Sequence, residues 1–421
     1  MNKMPKIAML SYHQSNGGAA IACNRLVEAL RKNGAEVEHI VQEGAAHPGI
    51  KLTTRSPWDK LGNYLRFVAE RLIFLPFEKN KSIRFLFNPG LFGKDLSLHP
   101  AIQSADIVHL HFTNFGFLSI KNIVQLSALG KPVVWTLHDM WAFTGGCHHS
   151  GTCENYQSKC GFCSEFIKNP AKDDLSNKIW QRKISAFKLP NLHIITCSFW
   201  LRHRALKSSI LKNQQIVSIP NTLDTEQIFV PKHKNVAKRM LGLDQNKSLL
   251  LFVAVRPNAP KKGFKQFIET VQILENKTHL QIGIIGNVID KSPFESLQLP
   301  IHYFGHIHSS EKIALIYQAT NCFVTTSLEE NLPNTIMEAM ACGTPCVGFN
   351  VGGISEMIDH LQNGYVAHSF DTTDFAHGIS YVLENGESME EHARNKAVKS
   401  YSEQIIAKKH LAFYQQCLQH D

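Results

Sequence analysis

Short apolar segments alternate with amphipathic segments along most of the chain, and this alternation predicts α/β domains. The first apolar segment, Lys6–Tyr12, is followed by a Gly-containing loop at 13–18. An amphipathic helix is predicted at 19–33 and a second strand at 36–41. The order strand, loop, helix, strand is typical of the β–α–β unit of a parallel sheet.

The same pattern restarts after residue 220, which indicates two domains. Further strands are predicted at 105–111, 132–137, 194–198, 215–219 and 248–255. A chain of 421 residues is too long for one ordinary core. We therefore expect one α/β domain at 1–220 and a second one at 221–395.

The stretch 322–349 contains the strongest candidate binding site. A strand at Cys322–Thr326 leads into a polar loop, Pro333 and Asn334 start a helix, and another strand opens at Cys346. Backbone N–H groups at the start of a helix form an anion site. Ligands of such sheets bind beyond the carboxyl ends of the strands.

Two carboxylates flank this anion site. Glu330 lies in the loop, and Glu338 follows eight residues later in the first turns of the helix. Carboxylates do not bind phosphate, but they accept hydrogen bonds from hydroxyl groups. The pattern favours a phosphate ligand that carries sugars on both sides, which is a nucleotide-sugar. Helix capping and solvation explain two isolated glutamates about equally well.

The spacing resembles the E-x7-E motif of retaining glycosyltransferases of family 4, which have the two-domain GT-B fold. The resemblance implies that Glu330 acts in catalysis and contacts hydroxyls of the transferred sugar, while Glu338 contacts the nucleotide ribose. Many members have Gly where this chain has Asn331. The resemblance also assigns to donor binding the residues Asn331, Leu332, Pro333, Asn334 and Thr335.

Two basic residues suit a diphosphate. Arg256 follows a predicted strand and Lys262 precedes the next helix, where cations would stabilise a departing nucleotide without a metal. No Asp-x-Asp pair for a divalent metal occurs in the chain. Family 4 has an Arg and a Lys in corresponding places. Its N-terminal Gly-Gly loop, here Gly17 and Gly18, lies under the donor phosphates, although a plain tight turn also explains this pair.

His138 follows the predicted strand 132–137, at the edge of the sheet where ligands bind. In family 4 a His at this place lies by the acceptor face of the transferred sugar, which makes His138 a catalytic candidate, with Asp139 orienting it or the loop. A hydrogen-bonded structural His is the alternative. The sequence from His138 through Cys147 and His148 resembles a subgroup from bacterial polysaccharide clusters.

Four thiols lie close together in one polar segment, and they suggest a structural zinc site. The candidate ligands are Cys147, Cys153, Cys160 and Cys163. Only the last two have C-x2-C spacing, so free reduced thiols and, less readily in the cytosol, disulfides remain alternatives.

Composition describes a globular protein, with 43% hydrophobic and 19% charged residues. No apolar run approaches the ~18 residues of a membrane span, and no signal-peptide pattern opens the chain, so we expect a cytoplasmic location. A net charge of +9 without a nucleic-acid-binding motif suits anionic donors or a membrane surface. Aromatic and basic residues alternate at 58–87. They predict peripheral contact with an anionic membrane or, alternatively, a helix packed on its own domain.

We therefore predict a retaining, metal-independent glycosyltransferase that needs no catalytic cofactor. The resemblance implies a GT-B fold, with a cleft between two Rossmann-like domains and a C-terminal helix at 396–421 crossing back to the first. A nucleoside-diphosphate sugar would bind the second domain, and a glycan or lipid-linked glycan acceptor the first. A GT-B epimerase or phosphorylase and a non-catalytic sugar-nucleotide or membrane-binding protein are the alternatives.

Overall fold

The chain divides into two compact units. The structure is a computed structural model, and it describes residues 4–45, 47–253, 260–275, 277–288 and 290–420. Unit 1 contains the residues up to Pro220 together with those from Ile406 onward, and unit 2 runs from Asn221 to Ile405. The second predicted domain ended at 395, so unit 2 extends ten residues further than the sequence indicated.

Unit 1 is built on a parallel sheet of seven described strands in the order β3-β2-β1-β4-β5-β6-β7. The strands are β1 (Lys6–His13), β2 (Glu36–Glu43), β3 (Ile50–Leu52), β4 (Ile107–Leu110), β5 (Val133–Leu137), β6 (Leu192–Thr196) and β7 (Gln215–Ser218). Its helices are α1 (Gly18–Lys32), α2 (Pro57–Phe74), α3 (Pro100–Gln103), α4 (Ile120–Ser127), α5 (Leu175–Ala186) and α6 (Phe199–Lys207). Buried residues of β4 and β5 contribute to cores on both faces, as expected for a parallel sheet.

Unit 2 repeats this architecture with six described parallel strands in the order β10-β9-β8-β11-β12-β13. The strands are β8 (Ser248–Val253), β9 (Leu280–Ile285), β10 (Ile301–Gly305), β11 (Cys322–Thr325), β12 (Cys346–Phe349) and β13 (Gly364–Ala367). The helices are α7 (Lys234–Met240), α8 (Phe264–Ile273), α9 (Ser292–Glu295), α10 (Ser310–Ala319), α11 (Asn334–Ala341), α12 (Ile354–Met357) and α13 (Thr372–Tyr401).

The C-terminal helix α14 (Glu403–His420) returns to unit 1 from Ile406 onward. Tyr414 and Cys417 lie in the core formed with α1. The Tyr414 hydroxyl is 2.6 Å from Nδ1 of the buried His109 on β4. A break at Ser402 separates α14 from α13, so the single terminal helix predicted from 396 is two helices.

Helix α2 combines inward polar contacts with an outward apolar row. Trp58, Leu61, Leu65 and Leu72 are exposed, Trp58 at 80% of its surface. The arginines counted in the aromatic and basic segment face inward: Arg71 and Arg84 pair with Glu78 at 2.7 and 2.9 Å, and Arg66 donates to the Gly116 carbonyl. No helix of the described residues is long and apolar enough to cross a membrane.

Candidate active site

The loop between β11 and α11 leads to a helix whose N-cap residue makes no side-chain capping hydrogen bond. Pro333 is the N-cap residue, with φ −68° and ψ 121°, and its side chain has no hydrogen-bonding atom. Proline is compatible with the start of a helix because it needs no donor there. The N-terminus of α11 is thus of the kind that binds anions in other proteins, because the dipole and the N–H groups of a helix start favour negative charge.

A second loop lies directly against this one. Gly263 has φ +65°, and a Cβ atom there would lie 1.7 Å from the Thr326 carbonyl oxygen. The Thr326 hydroxyl donates to the Gly263 carbonyl at 2.7 Å, and Leu328 N donates to the Lys261 carbonyl at 2.9 Å. Glycine is required here for both its backbone angle and its missing side chain.

This contact places two lysines beside two glutamates. Lys262 Nζ lies 2.6 Å from Glu330 Oε2, and Lys261 forms an equivalent ion pair with Glu329. The Glu330 carboxylate raises the pKa of Lys262, although burial acts in the opposite direction, so Lys262 is a cation at neutral pH. The structure thus brings together two predicted catalytic residues, and it adds the Lys261–Glu329 pair, which the sequence did not indicate.

A third loop fixes the backbone of Glu330 and Asn331. Gly352 has φ +58°, and a Cβ atom there would lie 1.6 Å from the Glu330 carbonyl oxygen, while Gly353 N donates to the Asn331 carbonyl at 2.8 Å. Asn331 is buried and does not have a positive φ. Its difference from the Gly of many family members therefore demands no unusual backbone angle.

Glu338 lies in the first turns of α11 and is almost fully buried, at 6% exposure. The hydroxyl of Tyr317 on α10 donates to its Oε2 atom at 3.2 Å. Burial, followed by the Glu338 charge, raises the pKa of Tyr317 well above its usual value, so the phenol keeps the proton it donates. Nothing in the sequence pattern singled out Tyr317. At the start of the same helix, Asn334 Oδ1 accepts from Asn221 Nδ2 at 2.9 Å.

In unit 1, the predicted residues lie at the carboxyl edge of the sheet. Gly17 precedes α1 with φ +93°, and a Cβ atom there would meet nothing within 4 Å, while Gly18 is the first residue of α1. Gly17 therefore leaves open space beside the helix N-terminus. His138 follows β5 directly, as predicted.

His138 belongs to a row of imidazoles. Its Nε2 atom lies 3.0 Å from Nδ1 of His111, and its Nδ1 atom lies 3.5 Å from the Cys197 thiol. His111 in turn packs on His109 with 4.6 Å between ring centroids. Burial lowers the pKa of His138 to about 4 and those of His109 and His111 well below the usual value. The row is therefore neutral at pH 7, and His138 can accept or donate a hydrogen bond but carries no charge.

Asp139 organises the loop after His138 and does not hydrogen-bond to His138 in the contacts described. Its Oδ2 atom lies 2.8 Å from His148 Nδ1, and its Oδ1 atom accepts from Trp141 N at 2.7 Å. Burial alone would raise the pKa of Asp139, but His148 and these hydrogen bonds bring it below the usual value. The predicted orienting role thus concerns the loop. His111, which the sequence analysis did not select, contacts His138 directly.

Two other predictions have different outcomes. Arg256 lies outside the described residues. Among the residues that the structure does describe, no group of three or more His, Cys, Asp or Glu side chains is arranged to hold a metal ion, so the predicted zinc site has no support. Burial raises the pKa of Cys147 to about 11 and that of Cys163 to about 12, so these two thiols are protonated at neutral pH, and all four cysteines of the segment are free of disulfides.

Two family models match the chain. The model described as Glycosyltransferase Family 4 matches residues 16–227, which is half of the chain, and the model described as Glycosyl transferases group 1 matches 234–399. The chain belongs to glycosyltransferase family 4. The resemblance based on Glu330 and Glu338 is thereby confirmed.

Three relatives show which enzymes this family 4 glycosyltransferase is similar to in sequence. The N-acetyl-alpha-D-glucosaminyl L-malate synthase of Bacillus anthracis is 23% identical over 48% of this chain and 54% of its own length. The putative colanic acid biosynthesis glycosyl transferase WcaC of Escherichia coli is 23% identical over 65% of this chain and 67% of its own. A Campylobacter jejuni N,N'-diacetylbacillosaminyl-diphospho-undecaprenol alpha-1,3-N-acetylgalactosaminyltransferase is 29% identical over 36% of this chain and 41% of its own. The predicted resemblance to enzymes of bacterial polysaccharide clusters is confirmed.

Solved structures confirm the GT-B fold of this glycosyltransferase. Sucrose-phosphate synthase from Thermosynechococcus elongatus matches with a TM-score of 0.65 at 17% identity, over 99% of this chain and 100% of that one. Anabaena HepE in complex with UDP-glucose matches with a TM-score of 0.62 at 15% identity, over 98% of this chain and 99% of that one. Both likenesses extend over both units.

The Gly263 contact predicts a large difference between two glycine substitutions. Gly263→Ala should destabilise unit 2 by about 2 kcal/mol more than Gly242→Ala, because overpacking adds to backbone strain. Gly242 has nearly the same angle, φ +67°, but a Cβ atom there would meet nothing within 4 Å, so its substitution should cost about 1 kcal/mol of backbone strain alone. Urea unfolding of both variants measures the difference. Equal losses of stability would contradict the close approach.

The buried histidines predict lower stability in mild acid. Burial lowers the pKa of His410 to about 4, so the unfolded chain binds its proton first as the pH falls from about 6.5. The stabilisation is complete above that pH and is lost toward pH 4, by about 2 kcal/mol between pH 7.5 and 5. His410→Leu should therefore unfold with less pH dependence than the wild type.

His392→Leu is the matched control for this comparison. In both residues Nδ1 lies 3.0 Å from the carbonyl four positions earlier in a helix, but His392 is exposed and His410 is buried. Urea unfolding at pH 7.5 and 5.0 should give His392→Leu the wild-type pH dependence. The same pH dependence in His410→Leu would contradict a neutral buried imidazole.

Proposed function

We propose that this family 4 enzyme transfers a sugar from a nucleoside-diphosphate sugar to a glycan or lipid-linked glycan acceptor in surface polysaccharide biosynthesis. The proposal includes retention of the anomeric configuration and independence of metal ions. The observation that carries it is the arrangement at the start of α11. There, a lysine-paired Glu330 and a Tyr317-bound Glu338 flank a helix N-terminus.

These groups match the parts of a nucleotide-sugar. The N–H groups of α11 and the Lys262 ammonium would bind the diphosphate, because both are positive at short range. Glu330 would accept hydrogen bonds from hydroxyls of the transferred sugar, and the more buried Glu338 from hydroxyls of the ribose. Anabaena HepE, of the same fold, was crystallised with UDP-glucose, which supports a donor of this class.

In the proposed reaction the acceptor hydroxyl attacks the donor sugar from the face that the diphosphate leaves. The acceptor oxygen forms a bond to the anomeric carbon, the bond from that carbon to the diphosphate oxygen breaks, and the acceptor proton passes to the diphosphate. Lys262 would stabilise the charge that develops on the leaving group, which is the role that a divalent metal plays elsewhere. In unit 1, the neutral His138 would hydrogen-bond to the transferred sugar or to the acceptor hydroxyl.

Neutralising each of the two carboxylates should affect a different quantity, nucleotide affinity in one case and kcat in the other. Glu338→Gln should weaken binding of the free nucleoside diphosphate about tenfold or more, since a hydrogen bond to a charged group is worth roughly 1.5–3 kcal/mol. Glu330→Gln should lower kcat strongly and leave nucleotide affinity nearly unchanged. Calorimetry with nucleoside diphosphates and steady-state kinetics measure the two effects.

The donor must first be found with a panel of UDP-, GDP- and ADP-sugars tested for thermal stabilisation and hydrolysis. Glu387→Gln, an exposed glutamate on α13, serves as the control and should change neither quantity. Unaltered nucleotide affinity in Glu338→Gln would remove its role. A strict requirement for added magnesium after EDTA treatment would refute metal independence, and an inverted product anomer would refute retention.

A second proposal concerns the membrane. The exposed row on α2, formed by Trp58, Leu61, Leu65 and Leu72, supports docking on an anionic membrane surface, as does the net charge of +9. The Campylobacter relative's name describes a diphospho-undecaprenol acceptor, which supports a lipid-linked acceptor for this chain too. The inward-facing Arg66, Arg71 and Arg84 are not assigned to this surface.

Replacing apolar residues of the row should therefore reduce vesicle binding. The double variant Trp58→Ser, Leu65→Ser should bind phosphatidylglycerol-containing vesicles at least tenfold more weakly, because each large apolar side chain contributes about 1.5–3 kcal/mol when buried. Met240→Ser is the control, since Met240 is an exposed apolar residue on α7. Co-sedimentation with vesicles measures both. Wild-type protein that ignores anionic vesicles at low salt would contradict the proposal.

A further inference from the structure

Unit 1 contains a cavity of about 750 Å³ that the proposed function has not used. Its lining comes from the carboxyl ends of β1, β2 and β3, from the loop after β3 and from the first three turns of α2. This is the edge of a parallel sheet at which ligands bind. The cavity is also large enough for a drug-sized molecule.

One side of the cavity presents a fixed carboxylate. The register of β1 and β2 pairs His13 with Glu43, so the neighbouring Tyr12 reaches the Glu43 side chain. The Tyr12 hydroxyl donates to Glu43 Oε1 at 3.0 Å. Burial and the Glu43 charge raise the pKa of Tyr12, so the phenol keeps its proton. A carboxylate held in this way is an acceptor for hydroxyl groups of a ligand.

The lining also includes two cations. Arg55 Nε donates to the Leu52 carbonyl at 3.1 Å, which fixes the guanidinium at the cavity wall. Lys60 projects from the second turn of α2 and is exposed. Neither side chain forms an ion pair with a carboxylate of the described residues. The cavity therefore combines uncompensated positive charge with a single hydrogen-bonded carboxylate.

Aromatic rings complete the lining. Tyr64 and Phe67 follow Lys60 by four and seven residues, which places all three on one face of α2. Tyr64 is 64% exposed, and the Phe67 ring packs on Phe115 with 6.4 Å between centroids. An aromatic face beside a carboxylate is suited to a sugar ring, which has apolar C–H faces and polar edges.

The cavity borders the exposed apolar row of the same helix. Trp58, Leu61 and Leu65 lie on the face next to Lys60 and Tyr64. If the polar part of a ligand lay in the cavity, the rest of the ligand would emerge from the cavity beside these apolar side chains. This continuity favours a ligand that is polar at one end and apolar at the other.

We propose that this cavity binds the acceptor as a lipid-linked sugar diphosphate. The sugar would contact Glu43, Tyr64 and Phe67, the diphosphate would contact Arg55 and Lys60, and the hydrocarbon chain would lie along the apolar row. The inference rests on the proposed function, because it assigns to that reaction the chemical class of its acceptor.

Direct binding to three probes tests the inference without any transfer of sugar. The probes are dodecyl diphosphate-linked N-acetylglucosamine, the dodecyl glycoside without phosphate, and N-acetylglucosamine 1-phosphate without the chain. Calorimetry below the micellar concentration should show at least tenfold tighter binding of the first probe than of either other probe. Lys60→Gln and Arg55→Gln should each weaken binding of the first probe about tenfold and leave binding of the glycoside unchanged. Tyr64→Ala should weaken binding of all three probes.

Lys121→Gln, an exposed lysine on α4, is the matched control and should bind every probe like the wild type. Equal binding of the diphosphate probe by Lys60→Gln, Arg55→Gln and wild type overturns the inference, as does an absence of binding to all three probes at millimolar concentration. A preference for the chain-free phosphate assigns the cavity to a soluble sugar phosphate and also overturns it. Intact probe binding in a protein that binds no nucleoside diphosphate counts against the proposed function alone.

Discussion

The candidate donor site depends on one close contact between two backbones. The loop before α8 can lie against the end of β11 because residue 263 has no side chain and adopts a left-handed angle. Through this contact, Lys261 and Lys262 meet two consecutive glutamates that stand 68 positions away in the chain. The contact between Gly352 and the Glu330 carbonyl repeats the principle on the other side. Two glycines thus fix three loops around one helix N-terminus.

Burial gives the two carboxylates of that site different environments. Glu330 keeps a cationic partner, and its side chain is 19% exposed, so it can exchange that partner for ligand hydroxyls at modest cost. Glu338 is held inside the unit by a phenol that retains its proton. A charge-paired, partly exposed acceptor and a buried one suit two different parts of a single ligand.

The carboxyl edge of the sheet in unit 1 differs from the donor site in its charge. Its sheet edge carries several histidines, which burial keeps neutral, and it balances Asp139 with His148. A neutral edge of this kind carries no positive charge and does not attract a proton at pH 7. Arg55, in the loop before α2, and Lys60, on α2, add two positive charges beside aromatic rings at the cavity.

The sequence by itself determined the architecture and the principal motif. Apolar periodicity located the strands that it predicted to within two or three residues and the start of α11 to within one, because buried parallel strands and amphipathic helices must repeat in this way. It did not indicate the short strands β3 and β13. It also determined Glu330, Glu338 and Lys262 as candidates, because the spacing of the two glutamates and the position of the lysine are local features.

Tertiary structure alone decided which of these residues meet. The Lys262–Glu330 pair, the hydroxyl of Tyr317 on Glu338 and the contact of His111 with His138 join segments far apart in the chain, and no local pattern encodes them. The structure also separated the inward arginines of residues 66–84 from the outward apolar row, and it left the clustered thiols without a metal arrangement. Composition counts side chains, but the direction in which each one points is fixed by packing.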